Sequence, residues 1–519
     1  MSEFRNRKLA RALLASSLAL LSAEHASAQA VSGALTSQAA VETAIQNNPS
    51  LHVALLQEAQ AGYGVSAEEA LFDPSFDASA DFTHNRTPSI RDSGPFVSTT
   101  NSYDLETGLT KTFAAGTVTN LTLTGDRTTR SAPVVNAQGV TAFTGPIYSL
   151  GGKLTVTQPL LRGYGSTLGL ASLRVARLNR TAAVLARQQE ASQLLHDVLK
   201  NYWELWYTAE AVRIDLASRD LAQTLQTQAD EQVKSGTLAH IDALTFATQL
   251  ATLDEQVVSD TTQQRQQALA LGQSMGRADR VGPDLQASDT PPDVDTLGPD
   301  DQAITEAFAA SYQLKQLDAQ LRIARDQASI AGDSLRPRLD LEGDVGSQGI
   351  GNREVPPAVD QFGRMEAVSA HVGLTFQTAI TDARRSATVE SALLNAHIAE
   401  KQIEVARQQL QNDVRSALAR RNAAKRSLEL SLLTEKVAGE QAEGEKGRFL
   451  AGTSIAITVS QADDAHRKAQ LRVQRARVDP VEGELDLMHL RGKLLERYAD
   501  ALKKFTPSTT ALEGAHSPM

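Results

Sequence analysis

From Leu168 to Lys234 no proline interrupts the chain, and its only glycine there, Gly169, stands at the start. From Asp382 to Gly452 proline is again absent, and Gly439, Gly444 and Gly447 gather near the end, where the helix could be locally loose. Proline breaks a helix interior and glycine costs about 1 kcal/mol there, so stretches this clean can each hold one continuous helix. An ordinary globular helix has only about 11–12 residues. Leu195, Val198, Tyr202, Leu205, Ala209, Val212 and Leu216 step by alternating threes and fours, which is a coiled-coil seam. Ile403, Ala406, Leu410, Val414 and Ala417 form a comparable stripe in the second stretch. Aromatics are only 4% of the chain while hydrophobics reach 41%, a composition that suits closely packed long helices better than a thick core.

The two stretches belong to two similar halves. Ala44-Ile45, Leu51, Gln57 and Pro74-Ser75-Phe76-Asp77 align without gaps on Ala307-Phe308, Leu314, Gln320 and Pro337-Arg338-Leu339-Asp340. Further on, Val156-Thr157-Gln158 aligns with Thr375-Phe376-Gln377, and Ser235-Gly236-Thr237 with Ala451-Gly452-Thr453. Each half reads as helix, strand region, very long helix, Gly-Thr turn and long helix. The 78 residues from Gln158 to Gly236 and the 75 from Gln377 to Gly452 would each reach roughly 110 Å as helix. The expected organisation is a first repeat over 31–280, a Pro- and Asp-rich link over 281–301, a second repeat over 302–500 and a disordered tail over 501–519.

Short alternating segments precede each long helix. Phe76, Ala78, Ala80 and Phe82 oppose Asp77, Ser79 and Asp81; Leu339, Leu341, Gly343 and Val345 oppose Asp340, Glu342 and Asp344. The returning segments alternate likewise, Tyr148, Leu150, Leu154 and Val156 against Lys153 and Thr155, and Ala370, Val372, Leu374 and Phe376 against His371 and Thr375. About ten residues is the length of a tilted strand that crosses a hydrocarbon core, with apolar residues toward lipid and polar ones toward a lumen. Two such hairpins cannot close a barrel, and open edges are not tolerated in lipid, so the barrel must be shared between copies.

The N-terminus fits this reading. Arg5, Arg7, Lys8 and Arg11 form a basic region, Leu9 to Leu21 an apolar run, and Ala28 and Ala30 end small-residue cleavage sites. Residues 1–28 are expected to be a signal peptide, cleaved after 28 or 30. The formal net charge is -10, and loss of that segment brings it near -12, which argues against nucleic acid as a partner. There is no cysteine, hence no disulfide and no thiolate metal site.

The order of strand pair and helix pair, the strand-to-helix segment from Leu154 to Gly163 and the two Gly-Thr turns together resemble the TolC-type outer-membrane efflux family. The resemblance covers roughly residues 35 to 500. It implies an α+β membrane protein: a transmembrane β-barrel shared in a homotrimer, continued by a long periplasmic coiled-coil barrel of α-helices. It implies an outer-membrane location extending into the periplasm, contact with outer-membrane lipid, and no enzymatic activity. As partners it implies a periplasmic membrane-fusion adaptor and an inner-membrane pump of the resistance–nodulation–division, ABC or similar type. The chain would be a passive exit channel for small molecules or proteins; a soluble periplasmic coiled-coil scaffold or an adaptor is the alternative.

Carried onto this chain, the resemblance places the gate and adaptor-docking tip at Gly236, Thr237, Asp242, Phe449, Gly452, Thr453, Ser454, Thr458, Gln461, Asp463 and Asp464. Phe449 stands where the family has a tyrosine, Ser454 where it has an arginine, and Thr458 and Gln461 where it has aspartates. Asp242 with Asp463 or Asp464 could partly replace that acidic ring. The lumen-facing barrel residues would be Asp77, Asp81, Lys153, Asp340, Glu342, Asp344 and His371.

The first half holds 44 residues more than the second between its proline and its strand-end glutamine, 84 from Pro74 to Gln158 against 40 from Pro337 to Gln377. These include two alternating arms, Tyr103–Phe113 and Thr117–Asp126, around a tight turn. They are either an elaborated extracellular loop or two added strands per subunit, which would widen a trimeric barrel to eighteen.

No catalytic constellation emerges. Leu161 to Ser166 is glycine-rich but lacks a phosphate-binding lysine. His240 and Asp242 are two potential ligands on an exposed turn, too few for a metal site. Tyr202, Trp203, Trp206 and Tyr207 read as packing between helices. No cofactor is expected.

Overall fold

A computed structural model describes residues 33–91, 94–131, 134–135, 141–142, 145–277, 285–293 and 300–504. The expected signal peptide, parts of the link and residues 505–519 of the expected tail lie outside the described residues.

In chain order, β1 (Ala34–Leu35) leads into α1 (Ser37–Asn47) and α2 (Pro49–Ala70). There follow β2 (Ser75–Arg91), β3 (Gly94–Thr112), β4 (Val118–Ser131), the short β5 (Val134–Val135) and β6 (Thr141–Ala142), and β7 (Ile147–Pro159). The single turn α3 (Ser166–Gly169) precedes the 64-residue α4 (Ala171–Lys234) and then α5 (His240–Ser274). The second half runs β8 (Gln286–Ala287), α6 (Asp300–Ala310), α7 (Tyr312–Ser334), β9 (Arg338–Asn352), α8 (Pro356–Gly363) and β10 (Val368–Gln377). It ends with the 68-residue α9 (Ala383–Leu450), α10 (Ala456–Leu490), α11 (Lys493–Arg497) and α12 (Ala499–Lys504). The shift of 263 residues that takes Ala44 to Ala307 also takes α1 onto α6, Pro49 onto the first residue of α7, and Ser75 onto Arg338 of β9. No described helix is long and apolar enough to cross a membrane.

The chain divides into two compact units. One, residues 56–184 and 315–404, contains a six-stranded sheet in the order β10-β9-β7-β4-β3-β2, antiparallel throughout. The two arms that could have been a loop are therefore the inner parts of β3 and β4, full members of the sheet between β2 and β7. Their turn closes with Phe113 N donating to Thr117 O (2.8 Å) and Gly116 N to Phe113 O (2.9 Å). The register sorts the strands by face, because residues directly opposite one another share a side. Leu154 and Val156 lie on the apolar face, as do Leu374 and Phe376. By face, then, Leu154-Thr155-Val156 corresponds to Leu374-Thr375-Phe376. The sequence alignment of Val156-Thr157-Gln158 with Thr375-Phe376-Gln377 is one residue off, and that slip would turn each side chain to the wrong side.

Between β9 and β10 lies α8, a helix the sequence reading did not anticipate. It sits on the apolar face over glycines: a Cβ at Gly349 would stand 1.9 Å from the Ala358 carbonyl oxygen, and one at Gly152 would stand 2.9 Å from the Phe362 ring. Beyond Ser347, the last partner of β10, β9 has no further strand on that side among the described residues, and Ile350 N donates instead to Gln361 Oε1 (3.1 Å).

The other unit, residues 1–55, 185–314 and 405–519, is built around helices. Tyr202 is fully buried, its hydroxyl donating to Leu35 O (2.9 Å) and accepting from Asp289 N (3.0 Å). That ties α4 to β1 and to the segment after β8, which pairs in parallel with β1. Burial pushes the Tyr202 hydroxyl up to about 12. Trp203 and Trp206 are buried in the same cluster, as packing residues. Leu195, Val198, Tyr202 and Leu205 are buried as the seam requires, but Leu216 is 42% exposed while its neighbour Asp215 is fully buried. A straight helix drifts about 20° per heptad against a 3.5-residue repeat, about 60° from Leu195 to Leu216, so the stripe read from sequence no longer marks the buried side there. The second long helix runs unbroken through Gly439, Gly444 and Gly447.

Replacing Gly349 by Ala should lift α8 from its seat. Overpacking of this kind costs about 1–3 kcal/mol, enough for about tenfold or faster amide exchange at Ile350. The β4–β7 ladder should keep its protection, and an unchanged Ile350 amide would contradict the packing described.

Candidate functional site: helix-hairpin turns and a polar sheet face

The two Gly-Thr turns share one geometry. Thr237 N donates to Gln232 O (2.9 Å) and Gly236 N to Val233 O (3.1 Å); Thr453 N donates to Arg448 O (2.8 Å) and Gly452 N to Phe449 O (2.9 Å). This crossed pair is a Schellman cap, which requires a left-handed residue just past the helix end. Gly236 has φ +76° and Gly452 φ +71°, a region glycine enters without the clash a Cβ would make. Each threonine hydroxyl adds a bond to the same carbonyl as its own amide, Thr237 Oγ1 to Gln232 O and Thr453 Oγ1 to Arg448 O (both 3.1 Å).

The hairpins are held together just behind their turns. Phe449, 4% exposed, meets Phe246 edge to face at 5.4 Å between ring centroids. Leu225, Ala229, Ala243, Ala456 and Val459 complete the cluster. With no hydroxyl, Phe449 contributes packing alone. Ser454 does not stand free: its hydroxyl donates to Glu445 Oε2 (2.7 Å), whose other oxygen accepts from Arg448 (2.9 Å). Asp242 is half-buried in the first turn of α5, Thr458 is half-buried, and Gln461 is exposed.

Asp463 and Asp464 lie further along α10, beside a cavity of about 170 Å³ lined also by Leu225, Phe246, His466 and Arg467. Asp464 is occupied by Arg467 (2.9 Å) and Lys468 (2.7 Å). Burial opposes its ionisation, but those two hydrogen-bonded cations hold its carboxyl below the usual range. Arg467 also reaches the fully buried Asp215 (3.0 Å), on α4. Asp463 is different: burial pushes its carboxyl up to about 6, with Lys446 and His466 opposing and Glu443 adding to the rise. Glu445, Phe246, Arg467 and Asp215 were not foreseen from sequence. Nothing read from the sequence singled out Asp215.

In the sheet, Asp77, Asp81, Lys153, Asp340, Glu342, Asp344 and His371 all fall on one face. Asp344 accepts from Lys153 (2.8 Å) and lies 3.1 Å from His371 Nδ1; Asp340 pairs with Arg338. The same face carries Asp104, Glu106 and Asp126 from β3 and β4, which sequence reasoning had not placed there. The opposite face presents exposed apolar side chains, among them Phe76 (72%), Val372 (78%) and Phe376 (61%).

A carboxyl raised in the folded state binds its proton more tightly folded than unfolded. The contribution of Asp463 to stability is therefore most favourable near pH 4 and declines as pH rises through about 6. Asp463→Asn should raise the unfolding free energy of the full chain in denaturant at pH 7.5, by on the order of 1 kcal/mol once partial exposure is allowed for. The gain should vanish at pH 4. A gain equal at both pH values would show that charge burial is not its origin.

Comparison with known proteins places this geometry. Residues 303–493 match the family described as outer membrane efflux protein. Among solved structures, the CmeC outer membrane channel of Campylobacter jejuni is similar at TM-score 0.65 and 14% identity, over 89% of this chain and 88% of that one. The outer-membrane channel OprN is similar at TM-score 0.66 and 17% identity, over 87% and 89%. The outer membrane protein VceC of Vibrio cholerae is similar at TM-score 0.62 and 14% identity, over 87% and 95%. At these identities the likeness is one of fold. No curated protein sequence matches the chain. Residues 303–493 thus match the outer membrane efflux protein family, and the chain shares the fold of outer-membrane channels over nearly nine-tenths of its length.

Proposed function

We propose that the chain is a passive exit channel, three copies of which close a barrel in the outer membrane and continue as a helical tunnel into the periplasm. The observation that carries this reading is the sheet. It has one polar face, one exposed apolar face, and two edges, on β2 and β10, that have no partner strand among the described residues. Facing lipid on one side and water on the other, such a sheet satisfies its edge groups only by pairing with further copies. Asp77, Asp81, Lys153, Asp340, Glu342, Asp344 and His371 would then line the lumen.

The capped turns at Gly236 and Gly452 would form the periplasmic tip that meets an adaptor, itself bound to an inner-membrane transporter that supplies the energy. Asp242 and Thr237 on one turn, and Thr453, Ser454, Thr458 and Gln461 on the other, are the residues offered there. Gating would rest on apolar contact through Phe449 and on the Ser454–Glu445 hydrogen bond, since Asp464 is already neutralised within its own chain. Asp463, half-buried beside the same cavity, is poorly placed for an open acidic ring. The common order of elements in the two halves supports an ancestral duplication, with repeats over 31–280 and 302–500 and the link 281–301 between them. Residues 1–28 would be removed on export and 501–519 would form a tail.

Expressed with its own leader in a Gram-negative host, the protein should fractionate with the outer membrane. It should run as a trimer that collapses to monomers on heating in detergent. Recovery as a wholly soluble monomer would remove the channel reading.

A further inference from the structure

We infer that the β3–β4 hairpin is part of the barrel wall, so that three copies close an eighteen-stranded barrel in which β10 of one copy pairs with β2 of the next. The inference rests on the channel reading above and adds the strand count, the seam and the charge of the lumen.

Three observations carry it. First, β3 and β4 are paired along their lengths, from Ser75↔Thr110 to Arg91↔Gly94 on one side and from Val118↔Thr157 to Thr128↔Ile147 on the other. Second, they are sorted by face like the strands around them. Leu105, Leu109, Leu121 and Leu123 are exposed on the apolar side, and Asp104, Glu106 and Asp126 stand on the polar side. A loop in water has no need of such sorting; a wall between lipid and lumen does.

Third, the sheet is staggered as a barrel requires. A line perpendicular to the strands from Ser75, at the foot of β2, passes Thr110, Asn120, Thr155 and Asp344 and reaches His371, six residues above the foot of β10 at Gln377. With the strand feet level, each copy contributes a stagger of six residues over six strands, one per strand. That ratio is also found in the eight-stranded barrel of shear eight, whose strands tilt by about 36°. Membrane barrels tilt by about 35–45°. An even stagger keeps polar residues opposite polar ones, so Phe76, Ala78, Ala80 and Phe82 would continue the apolar face formed by Val372, Leu374 and Phe376. Pro88, which has no N–H to give a neighbour, sits on β2 as an edge strand permits.

At strand spacings near 4.8 Å and this tilt, eighteen strands enclose a ring about 34 Å across between backbones, against about 23 Å for twelve. Each copy's extra hairpin also adds the carboxylates of Asp104, Glu106 and Asp126 and the guanidinium of Arg130 to the polar face, two net negative charges per copy that favour cations.

The absence of native cysteine makes the seam directly testable. Thr375→Cys is combined in turn with Asp77→Cys, Ser79→Cys and Asp81→Cys, the partners expected for staggers of six, eight and ten residues per copy. Under mild oxidation in outer membranes, one of the three pairs should convert most of the protein to a covalent trimer, while the single-cysteine variants remain monomeric after heating. No intersubunit disulfide from any pair, together with an intrachain one between Ser79→Cys and Thr155→Cys, would mean that β2 adjoins β7 and the hairpin lies outside the wall. That overturns the eighteen-strand count and leaves the channel standing. A wild-type protein that is neither in the outer membrane nor trimeric would sink the channel reading, and this inference with it.

Discussion

In hydrocarbon there is no water to receive a backbone N–H or C=O, and each group left over costs several kcal/mol. The sheet of this protein has two strands, β2 and β10, whose outer edges carry whole rows of such groups. Its faces are sorted, with Phe76, Phe82, Leu105, Val372 and Phe376 exposed on one side and Asp77, Asp104, Lys153 and Asp344 on the other, which fits lipid against the first and water against the second in the channel proposed above. In that setting one chain would be incomplete by itself. Its length of strand, its alternation and the proposed pairing with further copies follow from that one requirement.

The helical unit solves a different problem with different means. Long helices with small side chains bury little per residue, so a few anchors carry much of the organisation. Tyr202 joins α4 to the β1–β8 pair through both hydrogen bonds of its hydroxyl, and Phe246 against Phe449 joins the two hairpins behind their turns. The Schellman caps at Gly236 and Gly452 end the helices without a large loop, which keeps the tips narrow. Charges that enter this interior are mostly matched. Arg467 bridges Asp215 and Asp464, and Arg475 bridges Glu204, Asp479 and Glu482. Asp463 is less well matched, since burial rather than a cation dominates its surroundings.

Much of this was legible in the sequence because period-two and heptad patterns survive in single segments. The strands around Phe76, Leu154, Leu339 and Leu374, the two long helices and both glycine turns could each be read locally. The hairpin Tyr103–Asp126 showed its alternation but not its neighbours, because nothing in a strand's own residues says which edge it will join. The α8 helix escaped notice because eight residues are too few for a period, although Pro356-Pro357 is a fair helix start and Gly349 and Gly351 left room for it. Asp215 could not be singled out because the arginine that neutralises it lies 252 positions away. The one-residue error in aligning Val156 with Thr375 came from matching letters where the pleat, set only by pairing, decides the face. At the tip, residue types alone gave position but not partner: Ser454 as a donor to Glu445 needed the turn to be built first.

The central claim is that this sheet is one third of a closed membrane barrel. Electron cryomicroscopy of the purified protein in lipid nanodiscs, viewed down the pore, tests it most directly. The account predicts a threefold ring of eighteen strands with β10 of each copy beside β2 of the next. A ring of twelve strands with β3 and β4 outside it, or a sheet left open at β2, would contradict it.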